Sequence, residues 1–313
     1  MSEDRQPVVA VVGSLNVDLI AYTSRVPSAG ETVIGERFQM GFGGKGANQA
    51  VMAARLGARV ALVGALGDDV FAAMTFDNLT RQGVDAAHVA RVPGSSGVAP
   101  IWVEPDGRNR IIVVPGANDA VDADAAAAAI RSMDHVDVVL GQLEIPQRVT
   151  LAAFRVARER GAVTILNPAP AARLDPDLIE ASHWLIPNET EFASLAGIDD
   201  VQPDDDAPIA GFARGVSPRL VLTLGARGAA IVSADGEVDR VPAVPVTAID
   251  TTGAGDAFVG AFAVGLAAGL NERAAVRLGI ACASDSVTRP GTQSSFATPE
   301  VAATILSEIR AEA

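Results

Sequence analysis

From Asp122 onward the sequence alternates short apolar runs with longer Ala-rich segments of helical spacing, and no other feature restricts the fold so much. Residues 123–132, 149–160 and 189–196 carry the helical pattern, while 136–140, 163–166, 184–186 and 220–224 are short runs of apolar and branched residues. Runs of that length between helices predict buried strands. Strands alternating with helices predict a parallel sheet covered on both faces. Val8-Val9-Ala10-Val11-Val12 adds another buried strand near the N-terminus. The expected fold is a three-layer α/β/α arrangement around a mostly parallel central sheet.

On such sheets ligands collect at the carboxyl ends of the strands. Polar residues follow these runs repeatedly: Asn16 and Asp18 after 8–12, Glu144 after 136–140, Asn167 after 163–166, Asn188 after 184–186, and Gly225 after 220–224. One polar strand end is ordinary, but this set on a common edge describes a site. Asn16 and Asp18 would share a face if the chain stays extended there. An amide beside a carboxylate suits sugar hydroxyls, which need donors and acceptors; two turn-forming residues would read the same way.

The pattern changes between Tyr22 and Met40 and again from Gly97 to Val114. Residues 98–103 and 111–114 flank Glu104-Pro105-Asp106-Gly107, a hairpin turn signal. A small β-sheet projecting from the main body is expected, contributed by about residues 17–42 and 97–115. Its apolar face has to be covered by ligand closure or by a second subunit. No repeat and no long linker interrupts the chain, so residues 1–313 are expected to form one α/β domain carrying this lid.

Composition removes several functions. A formal net charge of −14 and a pI near 4.6 argue against a nucleic-acid surface. Mean hydropathy is +0.28, yet no apolar run is long enough to span a bilayer, and the polar N-terminus is not a signal peptide. The single cysteine, Cys282, excludes an internal disulfide and fits a reducing, cytoplasmic setting. The acidic run of Asp199-Asp200 and Asp204-Asp205-Asp206 lacks calcium-loop spacing and reads as a solvated loop. His88, His135 and His183 have no metal-ligand spacing.

Two glycine-rich segments carry the chemistry. In Asp250-Thr251-Thr252-Gly253-Ala254-Gly255-Asp256-Ala257-Phe258 a glycine turn runs into a buried helix. Such a turn aims free N–H groups at one point, with the helix dipole behind them, and suits an anion. Asp256 would repel that anion unless it works as a base on a hydroxyl attacking a phosphate there; otherwise it is an ordinary helix-capping carboxylate. In Gly41-Phe42-Gly43-Gly44-Lys45-Gly46-Ala47-Asn48-Gln49-Ala50 the glycines would let a ligand approach the backbone, and residues 47–56 read as a helix. Walker A spacing is absent, and Lys45 with Asn48 favours a polar pocket. Asn188, Glu189, Thr190 and Glu191 suit a helix start, while a carboxylate there could also hold Mg2+ through water. Thr223-Leu224-Gly225-Ala226-Arg227-Gly228 is a small-residue turn suited to backbone contact with a nucleotide.

Taken together, these segments resemble the ribokinase-like family of sugar and nucleoside kinases, over roughly residues 8–309. Gly13-Ser14-Leu15-Asn16-Val17-Asp18, Gln142-Leu143-Glu144, Asn167-Pro168-Ala169-Pro170 and Pro187-Asn188-Glu189-Thr190-Glu191 match in order beside the two glycine segments. The Gly-Gly-Lys-Gly-Ala-Asn-Gln form is similar to the ribose-phosphorylating branch. The resemblance implies ATP-dependent phosphorylation of the primary 5-hydroxyl of D-ribose, with deoxyribose, fructose, 2-keto-3-deoxygluconate or a nucleoside as alternative acceptors and a non-catalytic sugar sensor as a further alternative.

By the same resemblance Asp256 would be the general base, and the N–H groups of Gly253, Ala254 and Gly255 an anion hole for the transferring phosphoryl group. Asn16, Asp18, Gly44, Lys45, Asn48 and Glu144 would hold the sugar. Asn188 would lie near the ATP phosphates, Thr223, Gly225 and Gly228 near the nucleotide, and Glu191 near Mg2+ through water. A monovalent cation, usually K+, would sit at Asp250, Thr252, Ser286, Arg289, Gly291 and Ser295, several acting through carbonyls. Two lids would interlock in a homodimer. Many relatives carry Asn or His at the position of Ile280, where it can touch adenine; here that position would be apolar.

Overall fold

The computed structural model describes residues 5–106, 108–202 and 205–313. Gly107 of the expected hairpin turn, Pro203 and Asp204 of the acidic run, and residues 1–4 of the polar N-terminus lie outside the described residues. Strands in chain order are β1 (Val8–Val12), β2 (Asn16–Tyr22), β3 (Arg37–Gly43), β4 (Arg59–Leu66), β5 (Val84–Arg91), β6 (Gly97–Val103), β7 (Asn109–Ile111), β8 (Val138–Gly141), β9 (Val163–Leu166), β10 (Trp184–Leu185), β11 (Arg219–Thr223), β12 (Ala229–Val232) and β13 (Val238–Val241). Helices are α1 (Lys45–Arg55), α2 (Val70–Arg81), α3 (Ala123–Ser132), α4 (Gln147–Glu159), α5 (Pro176–Ala181), α6 (Glu189–Ala196), α7 (Ala207–Arg214), α8 (Ala254–Ala267), α9 (Glu272–Ser286) and α10 (Pro299–Ala311).

The main sheet runs β13-β12-β11-β10-β9-β8-β1-β4-β5. Strands β11 to β5 in that order pair parallel, and β12 and β13 add an antiparallel edge. Side chains alternate across each strand, so one strand feeds two cores. Val9, Val11, Val138, Leu140 and Val221 face α1, α2, α8, α9 and α10. Ala10, Val12, Val139, Leu220 and Leu222 face α3 to α7. These are the expected three layers. The apolar runs of β8 to β11 were legible because both faces are buried; β4, β5, β12 and β13 were not anticipated.

α8 is apolar all round and is buried from Asp256 through Gly265, as a helix enclosed by its neighbours must be. Phe262 meets Trp184 edge-on at 5.2 Å and stacks near-parallel with Phe258 at 6.4 Å. A Cβ on Gly260 would lie 2.6 Å from the Gln49 carbonyl, so this glycine lets α1 and α8 approach closely. That approach brings the start of α8 to Asn48 and Gln49. Ile280, expected at a nucleotide surface, is buried in the core with α8.

The smaller sheet runs β3-β2-β6-β7. β2 pairs antiparallel with β3 and parallel with β6, and β6 pairs antiparallel with β7. The hairpin expected over 98–103 and 111–114 forms with its second strand shifted to begin at Asn109; beyond it, Ile112 and Val114 still bond to Pro100 and Val98. Phe38 and Ile112 remain 67% and 55% exposed, an uncovered apolar surface. No helix among the described residues is long and apolar enough to cross a membrane.

Candidate active site

Asp256 sits in the first turn of α8, directly after a turn that Gly253 makes in the left-handed region at φ 78°. Any side chain there is strained, and a Cβ would also lie 2.6 Å from the Thr292 methyl. At Gly255 the backbone is ordinary, and a Cβ would meet no protein atom within 4 Å. Packing does not require that position to be bare, and the space above it opens into a cavity. Among the described residues the backbone N–H groups of Gly253 and Gly255 have no backbone acceptor, whereas that of Ala254 donates to the Thr251 carbonyl at 3.2 Å. The expected anion hole therefore loses Ala254 as a free donor, because the turn uses it.

Asp256 is buried, and each carboxylate oxygen accepts one amide: Asn48 Nδ2 at 2.8 Å to Oδ2 and Gln49 Nε2 at 3.1 Å to Oδ1. Each oxygen retains a second acceptor direction, so the carboxylate can still take a proton. Burial pushes its pKa up, opposed by the Lys45 ammonium and the Asn48 and Gln49 bonds. Gln49 is itself oriented: Nε2 also donates to Asn167 Oδ1 at 3.1 Å, and Oε1 accepts from Gln142 at 2.6 Å. The sequence places Asn167 on the polar strand edge and Gln49 and Gln142 within the matching segments, without a part for any of them in holding Asp256. The available signal was adjacent amides in an otherwise apolar helix.

Lys45 opens α1 and lies among carboxylates. Burial acts to lower its pKa, but Asp256, Glu144 and Glu191 outweigh it and the ammonium is held above its ordinary value. Glu144 accepts from the Ser14 hydroxyl at 2.6 Å and from the Lys45 N–H at 3.0 Å. Asp18 is raised from 3.8 to about 7, by burial first and then by Glu144 and Asp256. Asn16 and Asp18 lie two apart on β2, as anticipated; Asn16 is buried and accepts from Asn118 Nδ2 at 2.8 Å. A Cβ on Gly44 would lie 2.7 to 2.9 Å from the backbone of Ser14 to Asn16, so its bareness serves contact with the β1–β2 connection.

A cavity of about 170 Å³ brings together Lys45, Asn188, Glu191, Thr223, Gly253, Gly255 and Asp256. Asn188 and Glu191 form a reciprocal cap on α6: Asn188 Oδ1 accepts from Glu191 N at 2.8 Å, and Asn188 N donates to Glu191 Oε2 at 2.9 Å. Both residues satisfy the helix end and face the cavity. Burial pushes the Glu191 carboxyl up. Gly225 and Gly228 lie outside the lining. A Cβ on Gly228 would lie 2.0 Å from the Val241 carbonyl, so packing of β12 against β13 explains that glycine.

A larger cavity of about 510 Å³ lies between the small sheet and the body, lined by Asp18 and Gly41 on one side and Asp250, Thr252 and Gly291 on the other. Asp250 accepts from Thr252 N and Oγ1 at 2.9 and 2.6 Å and from Gly291 N at 2.9 Å. Burial acts to raise its pKa, and these bonds outweigh it, leaving a charged carboxylate. Ser286, Arg289 and Ser295 do not line the cavity. The Ser295 carbonyl accepts from Arg289 Nε and Nη2 at 3.0 and 2.7 Å, and the Ser286 carbonyl accepts from Arg289 N at 3.2 Å; Arg289 also pairs with Asp285. Only Asp250, Thr252 and Gly291 of the expected cation ligands therefore border this cavity, because Arg289 already engages the Ser286 and Ser295 carbonyls. No group of three Asp, Glu, His or Cys side chains placed to hold a metal ion occurs among the described residues. Glu191 alone fits a divalent ion that keeps water and phosphate as its other ligands.

A helix N-terminus with free N–H donors beside a buried carboxylate, at the carboxyl edge of a parallel sheet, defines a kinase of small hydroxylated molecules. A model described as pfkB family carbohydrate kinase matches residues 6–299, and the chain belongs to that family. It is 39% identical to a deoxyribokinase of Salmonella typhi over 92% of this chain and 95% of that one. It is equally identical to a ribokinase of Bacillus subtilis, over 96% and 99%. The structure of Arabidopsis thaliana ribokinase complexed with ribose and ATP superposes with a TM-score of 0.88 at 29% identity, covering 96% and 99% of the two chains. The fold read from the strand and helix alternation and the family read from the matching segments are thus the ones found, and the protein is an enzyme, a carbohydrate kinase.

Proposed function

We propose that this enzyme transfers the γ-phosphoryl group of ATP to the primary 5-hydroxyl of D-ribose, giving D-ribose 5-phosphate and ADP. The observation carrying this reading is the buried Asp256 carboxylate, held by Asn48 and Gln49 beside the free N–H groups of Gly253 and Gly255. Asp256 takes the hydroxyl proton as the sugar oxygen bonds to phosphorus and the bond to ADP breaks. The Gly253 and Gly255 donors meet the charge gathering on the phosphoryl oxygens. Lys45 adds positive charge inside an acidic chain and, with Asn16, Asp18, Asn48 and Glu144, offers donors and acceptors to the sugar hydroxyls. Asn188 and Thr223 face the phosphate end of the cavity.

Mg2+, when bound, would neutralise phosphate charge, and Glu191 would hold it through water. A K+ ion at Asp250, Thr252 and Gly291 would steady the Gly253 turn. The small sheet acts as a lid over the sugar, and its exposed face, including Phe38 and Ile112, joins two copies in a homodimer. A cytoplasmic setting completes this reading.

The Salmonella relative supports deoxyribose as a second acceptor. The two sugars differ by one hydroxyl, and a site built to bond a hydroxyl rejects the analogue lacking it by roughly 10⁴–10⁵-fold. The test is ADP release with Mg2+ and K+ across ribose, deoxyribose, fructose, 2-keto-3-deoxygluconate, adenosine and cytidine. Ribose is expected to give the highest kcat/KM, falling when Na+ replaces K+. Preference for deoxyribose would move the substrate and leave the chemistry; preference for a nucleoside would overturn the pocket assignment.

A further inference from the structure

The donors to Asp256 have an order of their own. A carboxylate only accepts, so Asn48 must turn Nδ2 toward Asp256, at 2.8 Å, and its Oδ1 away. That oxygen accepts from Gln293 Nε2 at 3.0 Å. Gln293 Oε1 in turn accepts from Asn78 Nδ2 at 2.9 Å. Asn48, Gln293 and Asn78 are only 5%, 5% and 6% exposed. Reversing any one amide would set N–H against N–H or oxygen against oxygen, at side chains that border the larger cavity at Asn78 and Gln293 but expose little surface. The direction of every amide from α2 to the carboxylate is therefore fixed.

Gln293 lies in the loop after α9, and this loop also touches the other half of the site. Its Thr292 methyl occupies the space a Cβ on Gly253 would need, and Gly291 N donates to Asp250 at 2.9 Å. One short segment thus packs on the anion-binding turn and, through Asn48, reaches the base.

We propose that Gln293 is a positioning residue for phosphoryl transfer, orienting the Asp256 carboxylate through Asn48 so that one loop sets the base and the glycine turn together. This rests on the reading of Asp256 as the base. Without Gln293 the Asn48 oxygen loses its donor, so the amide is free to swing and its hold on Asp256 Oδ2 loosens.

Gln293→Met keeps length and approximate volume while removing both amide bonds. Its kcat is expected to fall about ten-fold, a modest share of what orientation supplies, with KM for ATP within about two-fold of wild type. The decisive readout is a double-mutant cycle. In an Asn48→Ala background, Gln293→Met should change kcat by less than about two-fold, because the intermediary is gone. Asn78→Ala keeps Gln293 but removes its anchor; its smaller kcat loss should vanish in the same background, and it carries the cycle if Gln293→Met does not fold. Independent, multiplying losses in both cycles would overturn the proposal. Asp256→Asn assayed alongside separates the failures: if it is inactive while the cycles are additive, the base stands and the relay falls, whereas near wild-type turnover removes both.

Discussion

Gly255→Ala should make this protein more stable and less active. Gly255 follows Ala254 in the first turn of α8 without a left-handed φ, and a Cβ there meets no protein atom within 4 Å. Alanine in a helical position that tolerates it is favoured by about 0.5–1 kcal/mol, mostly through the unfolded chain. For a chain of this size that corresponds to a rise in Tm of roughly 1–3 °C. The same methyl group enters the cavity shared with Asp256 and Gly253, where the phosphoryl group is to pass. Crowding by one methyl costs about 1–3 kcal/mol, which predicts a roughly 5- to 150-fold lower kcat/KM for ATP. Thermal unfolding without ligands and a coupled ADP-release assay read the two quantities separately. A Gly255→Ala enzyme with wild-type kcat/KM would refute the placement of the phosphoryl group at this turn. A lower Tm would refute the open space above Gly255.

Two further outcomes test the carboxylates. Asp256→Asn should retain sugar binding by calorimetry while kcat falls roughly 10²–10⁴-fold, the usual worth of a positioned acid or base; the new amide also sets one N–H against the Asn48 or Gln49 donor, so unfolding must be followed in parallel. Asp18 stands at about 7 in the folded protein against 3.8 ordinarily, so the folded state holds an extra proton and its stability falls as pH rises between those values. Three units or so at 1.36 kcal/mol each, discounted for a half-buried group, give on the order of 2–4 kcal/mol. Asp18→Asn should lack this fall, so denaturant titrations of the two proteins should diverge from about pH 4 to 7, and parallel curves there would show that Asp18 titrates normally.

The sequence by itself determined the layers and the edge where chemistry occurs. Runs such as 8–12, 163–166 and 220–224 must be buried on both faces, so their composition alone marks parallel strands, and the polar residues after them are local to the same segments. The turn from Asp250 to Asp256 was legible for the same reason, since φ, free N–H groups and helix start are properties of neighbouring residues. The edge strand β13 escaped because Val238 to Val241 includes exposed polar positions and carries little apolar signal.

What only the tertiary structure decided is which residues meet. Asn48 and Asp256 are 208 positions apart, and Asn48 and Gln293 are 245 apart. No local propensity encodes those bonds. They exist because Gly260 lets α1 and α8 approach and because each buried amide must find a partner of the right polarity. The same folding packs backbone against Gly44 and Gly228, whereas the Ala254 N–H is engaged locally by the Thr251 carbonyl. A glycine in sequence says only that a side chain is absent; whether ligand or backbone fills the space is settled by what the rest of the chain places there.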